Sequence, residues 1–188
     1  MALYRAPATS RIKMRQSANE FRTRIHFEQY RCIPIVPVLE SLPEIFKGWN
    51  YEYVEDWELP DCHARTLIED KVVLVRNSVY ERACRGMGRD RMTIAHELGY
   101  VVVHGQNPLA LNRDFNQDVP IRTCEDPEWQ AKCWAGEFMA PKQHVEDWNA
   151  ADIVEICGVS HDAAELQLRK WKEEKEKALN RYQRFSAP

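Results

Sequence analysis

No stretch of this chain approaches the ~20 consecutive apolar residues that a membrane-spanning helix requires. The opening residues, Met1-Ala2-Leu3-Tyr4-Arg5-Ala6-Pro7, lack the apolar run of a secretory signal, so a cytoplasmic location without a membrane partner is expected. Excess positive charge is also missing: a net charge of -3 removes the electrostatic basis for direct nucleic-acid binding. There is no C-x-x-C pair, which argues against a closed structural zinc knuckle. The six cysteines (Cys32, Cys62, Cys84, Cys124, Cys133 and Cys157) are scattered, and reduced thiols suit a cytoplasmic chain better than a disulfide frame. No internal repeat or low-complexity tract interrupts the sequence. What remains is an ordinary globular composition, 44% hydrophobic and 29% charged, over 188 residues, enough for one domain spanning 1–188.

The periodicities predict an α+β architecture. Residues 1–10 read as a disordered lead. Ile12, Ala18, Phe21 and Ile25 form a broken apolar stripe that predicts a helix over 10–25. Ile33-Pro34-Ile35-Val36-Pro37-Val38 reads as extended because of its prolines, with a short helix following over 38–46. Tyr51, Tyr53 and Trp57 alternate with Glu52 and Glu55, the pattern of a half-exposed strand over 50–57. Two further strands are predicted at 65–67 and 71–75, joined by a turn at 68–70. A helical pattern begins at Val79, breaks at Gly86-Met87-Gly88 and resumes through His104. The segment 109–126 is too long for a plain connector and is expected to be functional or mobile. Asp126 and Pro127 then signal a helix cap and first turn, and that helix stops before Pro141. A short helix over 144–157 and a long C-terminal helix over 160–185 complete the expectation: a small, mostly antiparallel sheet of about three strands on a helical core.

Residues 92–104 carry the chemistry. The pattern H-E-x-x-H places two histidines on one helix face, where both can ligate one zinc, with the glutamate between them as general acid/base. His96 and Glu97 supply the first two letters, and the second histidine position holds Tyr100. Glu128 is the candidate third ligand, since it lies in the first turn of a helix whose apolar stripe must pack on that of the His96 helix. His104 does not replace the missing ligand: it lies roughly 12 Å beyond His96 along the axis at 1.5 Å per residue, and a backbone hydrogen bond at the helix end suits it better. An H-E pair alone is a weak signal, because short motifs occur often by chance. His63, His144 and His161 read as surface or helix-start histidines. Trp171 and Leu168 form either a docking stripe or core, and Trp49, Tyr51, Tyr53 and Trp57 are candidates to line a peptide groove beside an edge strand.

The flanking residues add specificity. Gly88-Arg89-Asp90-Arg91-Met92-Thr93-Ile94-Ala95-His96-Glu97-Leu98-Gly99-Tyr100, followed by His104, resembles the F-T-x-A-H-E-L-G-H-x-x-x-H phrase of the ImmA/IrrE-type metallopeptidases. Glu128-Trp129-Gln130-Ala131-Lys132-Cys133-Trp134-Ala135-Gly136-Glu137-Phe138-Met139-Ala140-Pro141 is similar to their E-x-x-A-N-x-F-A-A-E-L-L-M-P, and Val159-Ser160-His161-Asp162-Ala163-Ala164 to their V-S-x-x-A-A. The resemblance spans nearly the whole chain. It implies a zincin-like fold and a cytosolic zinc endopeptidase that cleaves a helix-turn-helix repressor of phage, mobile-element or stress genes. His96 and Glu128 would be ligands and Glu97 the acid/base. Lys132 and Trp134 depart mildly from the pattern, and Tyr100 departs at a ligand.

Several readings of Tyr100 are open at this stage. The phenol binds zinc as phenolate, against a reference pKa of about 10. Another donor, foremost Cys124, fills the gap or holds the centre inactive, against the plain alternative of an ordinary loop cysteine. No metal binds, and the chain is a catalytically inactive pseudo-peptidase that regulates a repressor by contact. Or Tyr100 was introduced deliberately to abolish activity.

Overall fold

The computed structural model describes residues 4–105, 112–113 and 120–186. The expected disordered lead is corrected over its described part. Strand β1 (Tyr4–Arg5) pairs antiparallel with a later strand at Asn112–Arg113. Ala6 N donates to Glu125 O at 2.8 Å and Thr9 N to Cys124 O at 2.9 Å, so backbone bonds tie this segment down. Residues 1–3 lie outside the described residues.

Ser10 caps α1 (Arg11–Arg24), its hydroxyl accepting from Lys13 N at 3.3 Å, and Met14, Ala18 and Phe21 bury one face. The stretch 33–38 is not extended: α2 (Ile35–Glu40) begins inside it, and α3 (Leu42–Ile45) follows at once. Pro34 and Pro37 precede or occupy the first turn of α2, where backbone N–H groups have no helical acceptor and a missing donor costs little.

The sheet order is β2 (Asn50–Val54), then β4 (Val72–Arg76), then β3 (Ala64–Leu67). The predicted strands are present, except that the one expected over 50–57 stops at Val54 and Asp56–Glu58 form a 3₁₀ turn, and the sheet is mixed and not mostly antiparallel. β3 and β4 join through a short turn and pair antiparallel, Ala64 opposite Val75, whereas β2 pairs parallel to β4, Asn50 opposite Val72. The link from β2 to β3 passes β4's future place, which leaves β4 inserted between strands of opposite direction. Val73 and Val75 of the central strand are fully buried.

Helices α4 (Asn77–Cys84) and α5 (Gly88–Val103) follow, then β5 (Asn112–Arg113), the partner of β1. Half of the long 109–126 segment lies outside the described residues, and near its end Thr123–Glu125 makes one 3₁₀ turn. α6 (Pro127–Met139) starts as expected, the Asp126 carboxylate accepting from Glu128 N at 3.0 Å. The single helix expected over 144–157 is two, α7 (Lys142–Val145) and α8 (Ala150–Cys157), because Asn149 caps a new start by accepting from Asp152 N at 3.0 Å. α9 (His161–Ser186) is the long C-terminal helix. No helix among the described residues is long and apolar enough to cross a membrane.

The core lies where α6 packs between α5 and α1, with Ile94, Leu98, Val101, Trp134 and Phe138 fully buried. Gly99 sets the α5–α6 separation. A Cβ built there would stand 2.7 Å from the backbone oxygen of Ala131, so only a glycine lets the two helices touch main chain to main chain. Gly99 lies one turn past His96 and Ala131 one turn past Glu128, so this close approach carries both residues to one place.

Candidate functional site

α5 presents His96, Tyr100 and His104 along one face at one-turn spacing, and α6 delivers Glu128 in its first turn. His96 Nε2 stands 3.2 Å from Glu128 Oε2, and the Tyr100 hydroxyl donates to the same oxygen at 3.0 Å. The rings of His96 and Tyr100 meet edge-on at 5.3 Å, and those of Tyr100 and His104 lie 5.6 Å apart. One carboxylate oxygen therefore gathers the imidazole and the phenol.

The carboxylate is the open side of the site, with Glu128 63% exposed, while the His96 side chain is 20% exposed. The His96 hydrogen bond, with its charge and that of Lys132 and the Tyr100 bond, holds Glu128 below the usual carboxylate pKa against partial burial. Burial works against a charged His96, but the Glu128 bond and the charges of Glu97 and Glu128 outweigh it and raise the imidazole pKa. Burial, then the charge and hydrogen bond of Glu128, push the Tyr100 phenol well above its ordinary pKa, so the phenol keeps its proton.

Glu97, the next residue of α5, is 7% exposed. The Thr66 hydroxyl donates to Glu97 Oε2 at 2.6 Å and lies 3.1 Å from the Glu97 carbonyl oxygen, which ties the helix to β3, an edge strand of the sheet. Burial raises the Glu97 pKa, with the Thr66 bond and His96 opposing it. Thr66 was missed as a site residue. Its position in a short strand next to a predicted helix carried no signal of which helix residue it would meet.

The candidate set is thus only partly assembled around one point. His96, Tyr100 and Glu128 converge, with Glu97 on the neighbouring wall. Cys124 does not join them: among the described residues, no three His, Cys, Asp or Glu side chains form a group able to hold a metal ion. Cys124 instead sits in the 3₁₀ turn before α6, its carbonyl accepting from Thr9 N and from Gln130 Nε2. His104 is buried and bonded to the Pro127 backbone, and burial pushes its pKa down to about 4. His63 is exposed, His144 Nε2 meets Glu28 O at 2.8 Å, and exposed His161 opens α9. Trp171 is core. The aromatic group divides: Trp49 is buried, Tyr51 and Tyr53 are half-buried, and Trp57 is 76% exposed.

The donor chemistry does not fit a three-ligand zinc centre. His96 and Glu128 are suitable donors, but the third position holds a phenol that donates its proton to Glu128. No family model, curated protein or solved structure matches the chain.

Proposed function

We propose that this chain is a regulatory protein on a zincin-like frame of the ImmA/IrrE type, which engages a helix-turn-helix repressor by contact and does not hydrolyse it. The motif resemblance supports the frame and the partner class. A helix bearing His96-Glu97, an edge strand beside it and a following helix bearing Glu128 are in keeping with that frame. The observation that carries the inactive reading is the shared Glu128 oxygen: His96 and Tyr100 both meet it, and Tyr100 donates a proton where a zinc ligand would have to offer a lone pair. On this reading the site's residues hold a surface in shape, with exposed Glu128 as its charged element.

One observation favours the second reading, a zinc-dependent endopeptidase of the same repressor class. Glu97 is a buried carboxyl of raised pKa, braced by Thr66, which is the state a proton-accepting and proton-donating group requires. Elemental analysis of protein purified without added zinc, followed by assay on helix-turn-helix repressor proteins at stoichiometric concentration, separates the two. The proposed function expects well under one zinc per chain and no cleavage over hours. One equivalent of zinc, with cleavage that disappears in Glu97→Gln, would establish the endopeptidase instead.

A further inference from the structure

The three most exposed large apolar side chains among the described residues are Trp57 at 76%, Tyr182 at 71% and Leu179 at 58%. They fall on two surfaces of opposite charge. Leu179 and Tyr182 lie on α9, three helical turns after Leu168 and Trp171, so the helix face that buries Trp171 continues into solvent. Lys175 reaches Glu146 at 3.3 Å, and residues 176–183 beyond it are all exposed. Lys172, Lys175, Lys177 and Arg181 make this end of the helix basic. Of the acids among them, Glu173 turns back to Lys170 at 2.9 Å and Glu174 to Arg15 at 3.0 Å, so with Glu176 the excess charge stays positive.

Trp57 stands in the 3₁₀ turn between β2 and β3, among the exposed carboxylates of Glu52, Glu55, Asp56, Glu58 and Asp61. No lysine or arginine occurs over 49–64. The cations that act on Asp56 are engaged elsewhere: Arg76 donates to Leu59 O at 3.0 Å and Pro60 O at 3.1 Å, and Arg82 to Asp90 at 2.8 Å. The turn is braced, with Glu55 N donating to Glu58 at 2.7 Å, Asn77 Nδ2 to Glu55 at 3.0 Å and Ser78 N to Asp56 at 3.2 Å. An aromatic ring held out on a braced turn gives up little freedom when it docks.

We propose that the end of α9 in one copy docks on the β2–β3 turn of a second copy, Leu179 and Tyr182 against Trp57 and the cations against the carboxylates. Each surface supplies the charge the other lacks, and each carries an uncovered aromatic ring. Formed reciprocally about a two-fold axis, the contact covers both surfaces of both copies and closes at a dimer. The aromatic anchors supply most of the affinity, and the exposed charges supply orientation and salt dependence. The His96–Glu128 site takes no part, so the inference stands whichever reading of that site holds.

Sedimentation of the full chain across a range of protein concentrations, at low and high salt, tests it. The parent is expected to pass from monomer to dimer as concentration rises, and salt should move that transition to higher concentration. Trp57→Ala, and separately Leu179→Glu combined with Tyr182→Glu, should each weaken the dimer about tenfold or more. All three side chains are exposed, so melting temperatures should stay near the parent's. Mixing reads the geometry. Trp57→Ala keeps its α9 end and the double variant keeps its turn, so the mixture should associate through one intact contact where neither variant does alone. A parent that stays monomeric at every concentration would overturn the proposal, as would a dimer indifferent to Trp57→Ala or a mixture no heavier than its components.

Discussion

A histidine at position 100 would offer a neutral nitrogen toward Glu128, and the tyrosine there offers a proton instead. Tyr100→His is therefore expected to create a zinc site from residues already in place. At a hundredfold excess over Kd, zinc should stabilise that variant by about 2.7 kcal/mol, read as a rise in melting temperature. The parent should respond weakly, and equal shifts in both would mean that position 100 does not control metal binding. His104 makes a separate prediction about pH. Its folded pKa is lowered to about 4 by burial, whereas the unfolded chain takes a proton near 6.5. Between these values the unfolded state binds the additional proton, so His104 favours folding above about 6.5 and that contribution fades as pH falls toward 4. The difference of some 2.5 pKa units amounts to a loss of about 3 kcal/mol at most. Denaturation midpoints at pH 7 and pH 4 should diverge less in His104→Gln, which can still donate to Pro127 but does not titrate. An unchanged divergence would place the acid sensitivity elsewhere.

Between elements, the contact of α5 and α6 at Gly99 decides whether the site exists. Alanine is the better helix former by about 1 kcal/mol. Its Cβ, however, meets backbone at Ala131, which cannot rotate away, so α6 must shift. Gly99→Ala is expected to lower stability by about 1–3 kcal/mol despite its helix propensity, measured as a urea midpoint. A more stable variant would show that the helices have room to part. The same pair of helices was the most legible part of the chain, since caps and apolar stripes are local signals. Asp126 accepts the capping bond its sequence suggests. Strand pairing was not legible. The alternation in β2 and the apolar run of β4 mark strands, but nothing local says that β2 runs parallel to β4 or that β3 lies on β4's far edge. Trp49 shows the same limit, since its aromatic run marks a strand region without saying that this ring packs beneath Gly105. At the site, His96, Glu128 and Tyr100 followed from helical spacing and motif order. Thr66 and the separation of Cys124 depended on tertiary placement.

Across the whole molecule, one buried acid ties the two ends of the chain to the middle. Glu137 on α6 is fully buried, and its oxygens face Arg11 Nε and Arg15 Nε on α1, each at 2.8 Å. The indole of Trp171 on α9 donates to Glu137 at 3.3 Å, and Arg15 continues to Glu174 on α9 at 3.0 Å. Lys142 also reaches Glu174, at 3.5 Å. α1 and α9 are therefore held against α6 by charge as well as by apolar packing. The two carboxylates should not contribute equally. Neutralising Glu137 leaves two guanidiniums at a dry site facing an amide, and removal of one partner of a buried ion pair typically costs 3–5 kcal/mol. Glu174 is 25% exposed, so water can replace much of what it supplies, and Glu174→Gln should cost no more than about 1 kcal/mol. Chemical denaturation of Glu137→Gln and Glu174→Gln side by side tests the ranking. Limited proteolysis adds a spatial readout: in Glu137→Gln, cleavage should appear first at the junctions leading into α9 and out of α1. Equal losses in the two variants, or early cleavage confined to the sheet, would show that apolar packing of Trp171 and Phe21 holds the terminal helices and that the ion network adds little.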